Sequence, residues 1–230
     1  MRDIASQKRA AAYAAVAEVC DGMLVGIGTG STVAFAIEAL GRRRLEGLRI
    51  TAVATSLRSE AAALAVGIPV LDFARVDTVD LCIDGVDEID PQFRAIKGGG
   101  GAMLREKIVA AAAGRMIAIA DAGKRVAQLG AVPLPLEVLP FARAFVSRRV
   151  AELGSVPTIR DAVTDQGNII IDCAFGSIAD TSALAAQLSA IPGVLGHGLF
   201  LEEIDVLYLG TETGVDKTVR FRLGHHLEGG

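Results

Sequence analysis

Short apolar runs alternate with helical segments through the first 121 residues, and this alternation limits the folds open to the chain. MLVGIG (23–28) is an apolar run closed by glycine. STVAFAIEALGRR (31–43) follows with helical spacing and a Ser/Thr start suited to a cap. RITAVAT (49–55) and LRSEAAALAVG (57–67) repeat the pairing. IPVLDF (68–73), DLCID (80–84) and RMIAIAD (115–121) read as further strands, with a helix over 102–113 between the last two and an Ala-rich helix over 6–20 in front. Strands that alternate with helices pair in parallel and carry helices on both faces.

The pattern changes near residue 130. PLPLEVLP (133–140) is extended, FARAFVSRRVAELG (141–154) is an amphipathic helix, NIIIDCAF (168–175) is a strand after a TDQG turn, and DTSALAAQLSAIPG (180–193) is a helix. DVLYLG (205–210) and TVRFR (218–222) are strands expected to rejoin the first sheet, and GHHLEGG reads as a tail. The expected division is 1–129 with 205–230 as one α/β domain and 130–204 as a smaller α+β domain.

Hydrophobic residues make up 51% of the chain and aromatics only 4%, so Ala, Val, Ile and Leu must fill the core, as suits buried parallel strands. A net charge of -4 with interspersed signs gives no basic footprint for nucleic acid. Cys20, Cys82 and Cys173 form no CxxC pair, which argues against a disulfide framework or a zinc ribbon and for a reducing compartment, the cytoplasm. No apolar run is long enough for a membrane span, and 10–20 is too Ala-rich for a secretory segment.

Three motifs carry chemistry. GIGTGST (26–32) sits where a strand meets a helix, so glycines, helix amides and hydroxyls can together cradle a phosphate. A dinucleotide fingerprint would need Gly where Ser31 stands and an acid where the second strand ends in Thr55-Ser56, and no G-x-x-x-x-G-K-[ST] occurs. DLCIDGVDEID (80–90) crowds Asp84, Asp87, Glu88 and Asp90 at a strand's carboxyl end, where carboxylates repel unless a cation compensates. Glu88 and Asp90 fit a structural role, solvated or capping a helix, as well as they fit a functional one. KGGGGAMLREKIVA (97–110) offers an anion-binding run of amides, a lysine to offset the aspartates, and Glu106 among Ala102, Met103, Val109 and Ala110 on the following helix.

These stretches, with IADAGK (119–124), LPLEVLP (134–140), TDQGNIIID (164–172) and IPGVLGHGLF (191–200), resemble the ribose-5-phosphate isomerase family of the A type, in the family's order and over most of the chain. The resemblance implies a Rossmann-like, mostly parallel sheet with helices on both faces, plus a smaller α+β domain inserted before the final strands. It implies a cytoplasmic homodimeric enzyme of the pentose phosphate pathway that needs no metal or cofactor. Its partner would be a small sugar phosphate, not nucleic acid or membrane. The implied reaction interconverts D-ribose 5-phosphate and D-ribulose 5-phosphate through an enediolate. The implied base is Glu106, with Asp84, Asp87 and Lys97 beside it. Substrate contacts are implied at Thr29, Gly30, Ser31, Thr32, Gly85, Val86, Gly98, Gly99, Gly100 and Lys124, and at Lys8, with Arg9 as the alternative. Asp84 would pass protons between the sugar oxygens and open the ring, oriented by Asp87. Val86 stands where the family pattern has Ala, and Arg58 where a small residue is expected. Sugar-phosphate deaminases, acyl-CoA transferases and non-catalytic sugar-phosphate sensors share the architecture and are the rival readings. His197, His225 and His226 read as surface or core histidines.

Overall fold

The computed structural model describes residues 3–221. His225, His226 and the 224–230 tail lie outside them. Asp3 caps the first helix by accepting from the Ser6 amide (2.7 Å), and α1 runs Ile4–Val16, shorter than the composition suggested because the chain turns at Ala17–Gly22. β1 (Leu24–Ile27), α2 (Ser31–Leu45), β2 (Thr51–Ala54) and α3 (Leu57–Ala65) follow. IPVLDF is not a strand. It makes one parallel bridge, Val70 to Ala52, before Asp72 caps a 3-10 turn at Phe73–Arg75. Pro69 has no N–H to give a ladder, and the Asp72 carboxylate takes the Ala74 amide, so extension stops there. The last part of the alternating pattern is β3 (Leu81–Gly85), α4 (Met103–Ala112) and β6 (Met116–Asp121).

With β12 (Val206–Gly210) and β13 (Val215–Val219) near the end of the chain, the main sheet has the order β13-β12-β6-β3-β1-β2. Its strands pair in parallel except β13, which runs antiparallel along β12. The last strand therefore begins earlier than its TVRFR pattern suggested. A tight turn, with Thr211 N bonded to Gly214 O at 2.9 Å, puts Val215 opposite Gly210 at once. Strand residues alternate between two cores. Ile83, Ile117, Ile119 and Val206 face α1 and α2, while Cys82, Met116, Ala118 and Leu207 face Val109 and Ala110 of α4. Period-2 alternation against two helical layers is what buries both faces.

A second, antiparallel sheet has the order β10-β7-β9-β8: Val194–His197, Leu134–Val138, Ile169–Ala174 and Val156–Val163. α5 (Arg143–Glu152) and α6 (Thr181–Ser189) close its core through Val146, Val150, Leu184 and Leu188. Three two-residue strands, β4 (Glu88–Ile89), β5 (Ala95–Ile96) and β11 (Leu199–Phe200), form a small sheet in the order β11-β5-β4. The main sheet's order reverses at β1, with β2 on one side and β3 on the other, and ligand crevices open outside the carboxyl ends at such a point.

Candidate active site

The carboxyl ends of β1 and β3 meet tightly. A Cβ on Gly28 would lie 1.9 Å from Asp84 Oδ1, so only glycine lets the aspartate come this close. Asp84 has no exposed surface. Its Oδ1 accepts the amides of Thr29 (3.0 Å) and Gly85 (2.7 Å), and its Oδ2 lies 2.8 Å from Lys97 Nζ.

Lys97 directly follows β5, and its amide bonds to Gly198 O at 2.8 Å. Its side chain is 2% exposed, and the ammonium donates to Gly85 O, lies 3.1 Å from Glu106 Oε2 and sits 5.3 Å from the Phe200 ring centre. Among the described residues, Asp84 Oδ2 and Glu106 Oε2 have no partner besides this ammonium. Two buried carboxylates thus share one cation, and the trio favours keeping one proton. Burial alone would discharge Lys97, but Asp84 and then Glu106 outweigh it and hold its pKa above the usual lysine value. Burial, reinforced by the Asp84 charge, pushes Glu106 up to about 8 against the pull of Lys97. Burial also raises Asp84, opposed by Lys97 and the two amides. Of the two, only Asp84 has amide donors among the described residues, so it is the better holder of negative charge and Glu106 the better holder of the proton.

Glu106 sits in the first turn of α4 beside buried Met103, Val109 and Ala110. The glycine run before it folds back on itself, with Gly101 N bonded to Gly98 O at 2.9 Å. Gly98 has φ 103°, and a Cβ there would meet Met103 Cβ and Pro135 Cγ, each at 2.8 Å. The Gly99 amide donates to Asp87 Oδ2 at 2.8 Å. Across the cavity, Lys8 Nζ donates to Ser31 Oγ at 3.0 Å. α2 starts there with no side chain capping its amides, so that end combines unpaired N–H groups with a positive dipole end.

One cavity of about 110 Å³ is lined by Glu106, Lys97, Asp87, Gly85, Val86, Gly98, Gly99 and Gly100 together with Thr29, Gly30, Ser31, Thr32, Lys8 and Lys124. Asp84, expected from the sequence among the substrate contacts, does not line it and stands one layer behind, on Lys97. Arg9, the alternative to Lys8, turns away to Glu38 (3.3 Å) and lies over Phe35. Glu88 and Asp90 point elsewhere too. Glu88 accepts the amides of Gly130 and Val132, both at 2.7 Å, and Asp90 accepts Gln92 N, Arg94 N and the Arg94 side chain.

Arg160, Lys107 and His197 find partners that their own stretches of sequence do not show. Arg160, from β8, reaches the carbonyls of Gly98 and Gly99. Lys107 does not pair with Glu106; its ammonium lies over Phe200, donates to Leu199 O and meets His197 Nδ1 at 3.2 Å. His197 therefore has partners, Lys107 and Ser189, and burial and then that lysine hold it down at about 4. A larger groove of about 590 Å³ is lined by Leu57, Val70, Leu71, Phe73 and Ile108 together with Glu60, Asp72 and Arg105, none of which is buried as Asp84, Lys97 and Glu106 are, so the chemistry is assigned to the smaller cavity. Among the described residues no group of His, Cys, Asp and Glu is placed to hold a metal ion, and no helix is long and apolar enough to cross a membrane.

Known proteins share this arrangement of chain. A family profile described as ribose 5-phosphate isomerase A (phosphoriboisomerase A) matches residues 51–214. The chain is 54% identical over 214 residues to the ribose-5-phosphate isomerase A of Sphingopyxis alaskensis, covering 91% of this chain and 94% of that one. It is 49% identical over 221 residues to that of Methanosarcina acetivorans, covering 93% and 94%. Among solved structures, ribose 5-phosphate isomerase A from Neisseria gonorrhoeae superimposes with a TM-score of 0.92 at 40% identity, over 96% of this chain and all of that one. A D-ribose-5-phosphate isomerase in complex with phospho-erythronic acid gives 0.92 at 35% identity, over 95% and 100%.

Proposed function

The chain belongs to the ribose 5-phosphate isomerase A family and interconverts ribose 5-phosphate and ribulose 5-phosphate, and from that premise we propose how its residues divide the work. The observation that carries the reading is the sharing of the Lys97 ammonium by Asp84 and Glu106 at the wall of a cavity whose far end holds Lys8 and Ser31.

Aldose–ketose interconversion takes a proton from the carbon beside a carbonyl and returns it to the neighbouring carbon. One carboxylate on a rigid helix can serve both carbons, and Glu106 is that group, poised near the pH at which the cell works. The enediolate carries its charge on oxygen. Lys97 and the glycine-loop amides are the donors that meet it. Asp87, at the wall, exchanges protons with the sugar oxygens during ring opening, while Asp84, one layer back, keeps Lys97 charged and in place. Lys8, Ser31, Thr32, Lys124 and the start of α2 hold the phosphate, so binding energy far from the reacting carbons positions them.

We further propose that the enzyme is a cytoplasmic homodimer of the pentose phosphate pathway. Unpaired Cys20, Cys82 and Cys173 support a reducing compartment, and symmetric dimers are the commonest assembly of soluble chains. Light scattering on the eluting protein tests the dimer.

The deciding experiment runs the reaction in heavy water. The wild type incorporates carbon-bound deuterium into ribulose 5-phosphate; Glu106→Gln binds phospho-erythronic acid yet incorporates none. Undiminished exchange in that variant removes Glu106 from the role.

A further inference from the structure

Arg160 lies in the second sheet, far from the cavity wall in sequence, yet its guanidinium holds the loop that the reaction needs. Nε and Nη2 form a two-pronged fork with Asp172, at 2.7 and 2.6 Å. The remaining nitrogen, Nη1, donates to the carbonyls of Gly98 and Gly99, both at 3.1 Å. The strand is built for this reach. β8 pairs regularly with β9 up to Ile159 opposite Ile171, then slips before Val163 meets Ile169, so Arg160 stands at a bulge. Bulges re-aim a side chain and recur next to active sites.

A trans peptide is planar, so its carbonyl and its N–H point in opposite directions. Fixing the Gly98 carbonyl fixes the Gly99 N–H, which donates to Asp87. Fixing the Gly99 carbonyl fixes the Gly100 N–H, and Gly100 lines the cavity. A cation on each carbonyl also polarises the peptide and strengthens the donor at its other end. Glycine has no side chain to lock these planes, so an outside group must do it. Such an arginine would be dispensable for a loop that only connected two elements.

We propose that Arg160, held by Asp172, is a positioning residue for the isomerisation: it aims and sharpens the Gly99 and Gly100 amides toward the developing oxyanion and toward Asp87. It touches no substrate. The proposal rests on the reading of the cavity given above.

The test compares wild type with Arg160→Ala, Asp172→Asn and Glu106→Gln, measuring kcat, KM, phospho-erythronic acid affinity and melting temperature. Arg160→Ala is expected to lose about 10- to 100-fold in kcat while KM moves little, the size of effect that misaiming a catalytic loop produces. Affinity for phospho-erythronic acid, whose carboxylate resembles the enediolate, is expected to fall in step with kcat. Added guanidinium ion restores turnover of Arg160→Ala in a saturable way, and Asp172→Asn shows a smaller loss of the same kind. If kcat of the folded Arg160→Ala protein stays within about twofold of wild type, or falls only with the folded fraction and ignores guanidinium, the inference fails. Glu106→Gln separates the two ideas: inactive Glu106→Gln beside active Arg160→Ala removes this inference alone, whereas an active Glu106→Gln removes the reading of the cavity beneath it.

Discussion

Glu88 and Glu106 are equally hidden, each 2% exposed, and both belong to glycine-bearing motifs that drew attention in the sequence. Their surroundings differ. Glu88 receives two backbone amides, from Gly130 and Val132, which replace the water it lost and tie the small sheet to the segment that leads into the second one. Glu106 has no amide donor. It shares Lys97 with Asp84, and burial pushes it up to about 8. Burial of a carboxylate therefore does not by itself mark chemistry. What marks it is a charge left half-compensated beside a cavity, where the protein keeps the group reactive.

That contrast can be broken most sharply by exchanging each acid for its amide. Glu106→Gln is expected to lose about 10²–10⁴-fold in kcat with its fold intact, because general-base catalysis typically contributes that much. Glu88→Gln is expected to do the reverse. It replaces an acceptor of two amides with a poorer one and costs about 1–3 kcal/mol of stability, read in a urea melt, while kcat per folded molecule stays near wild type. Equal losses of activity in both variants would erase the distinction.

At the far end of the cavity a milder effect is expected. Lys8→Ala removes a cation that holds ground state and transition state alike, so KM for ribose 5-phosphate should rise by roughly 10-fold with kcat nearly unchanged. A collapse of kcat instead would place Lys8 among the reacting groups.

The smallest predicted effect is one of stability against pH. The folded pKa of Glu106 lies above its unfolded one, so between the two the folded state binds more protons and stability falls as pH rises. The contribution is full below the unfolded pKa and is lost as pH passes through about 8. Wild type should therefore lose more melting temperature between mildly acidic and mildly alkaline buffer than Glu106→Gln does. Parallel curves would mean that the carboxyl is not strained by its site.

The parts of the molecule legible in the sequence are those with local causes. Apolar runs beside helical ones give the parallel sheet, and a run of four glycines after Lys97 has no explanation in helix or strand preference. IPVLDF misled because its apolar pattern hides Pro69 and the cap at Asp72. β8 and β10 carried too weak an alternation to be noticed; β8 is exposed along much of its length and interrupted by its bulge. The fate of Glu88 depended on amides more than 40 residues away, and that of Arg160 on carbonyls about 60 residues away. Nothing near either residue announces such partners. A lone arginine in an extended run, one strand from an aspartate, is the only signal that could have drawn attention to Arg160. Asp84 shows the same limit: its motif marks it as functional, but only its complete burial against Gly28, off the cavity lining, shows where it stands.

The central claim is that Glu106 titrates close to neutral pH because it is buried beside a charged aspartate. Difference infrared spectroscopy of the free enzyme, with isotope-labelled glutamate and Glu106→Gln as the blank, reads that carboxyl directly. The account predicts a band that ionises with a midpoint near 8, matching the rising limb of kcat/KM. A carboxyl already ionised throughout the neutral range, with no band lost in Glu106→Gln, would contradict it.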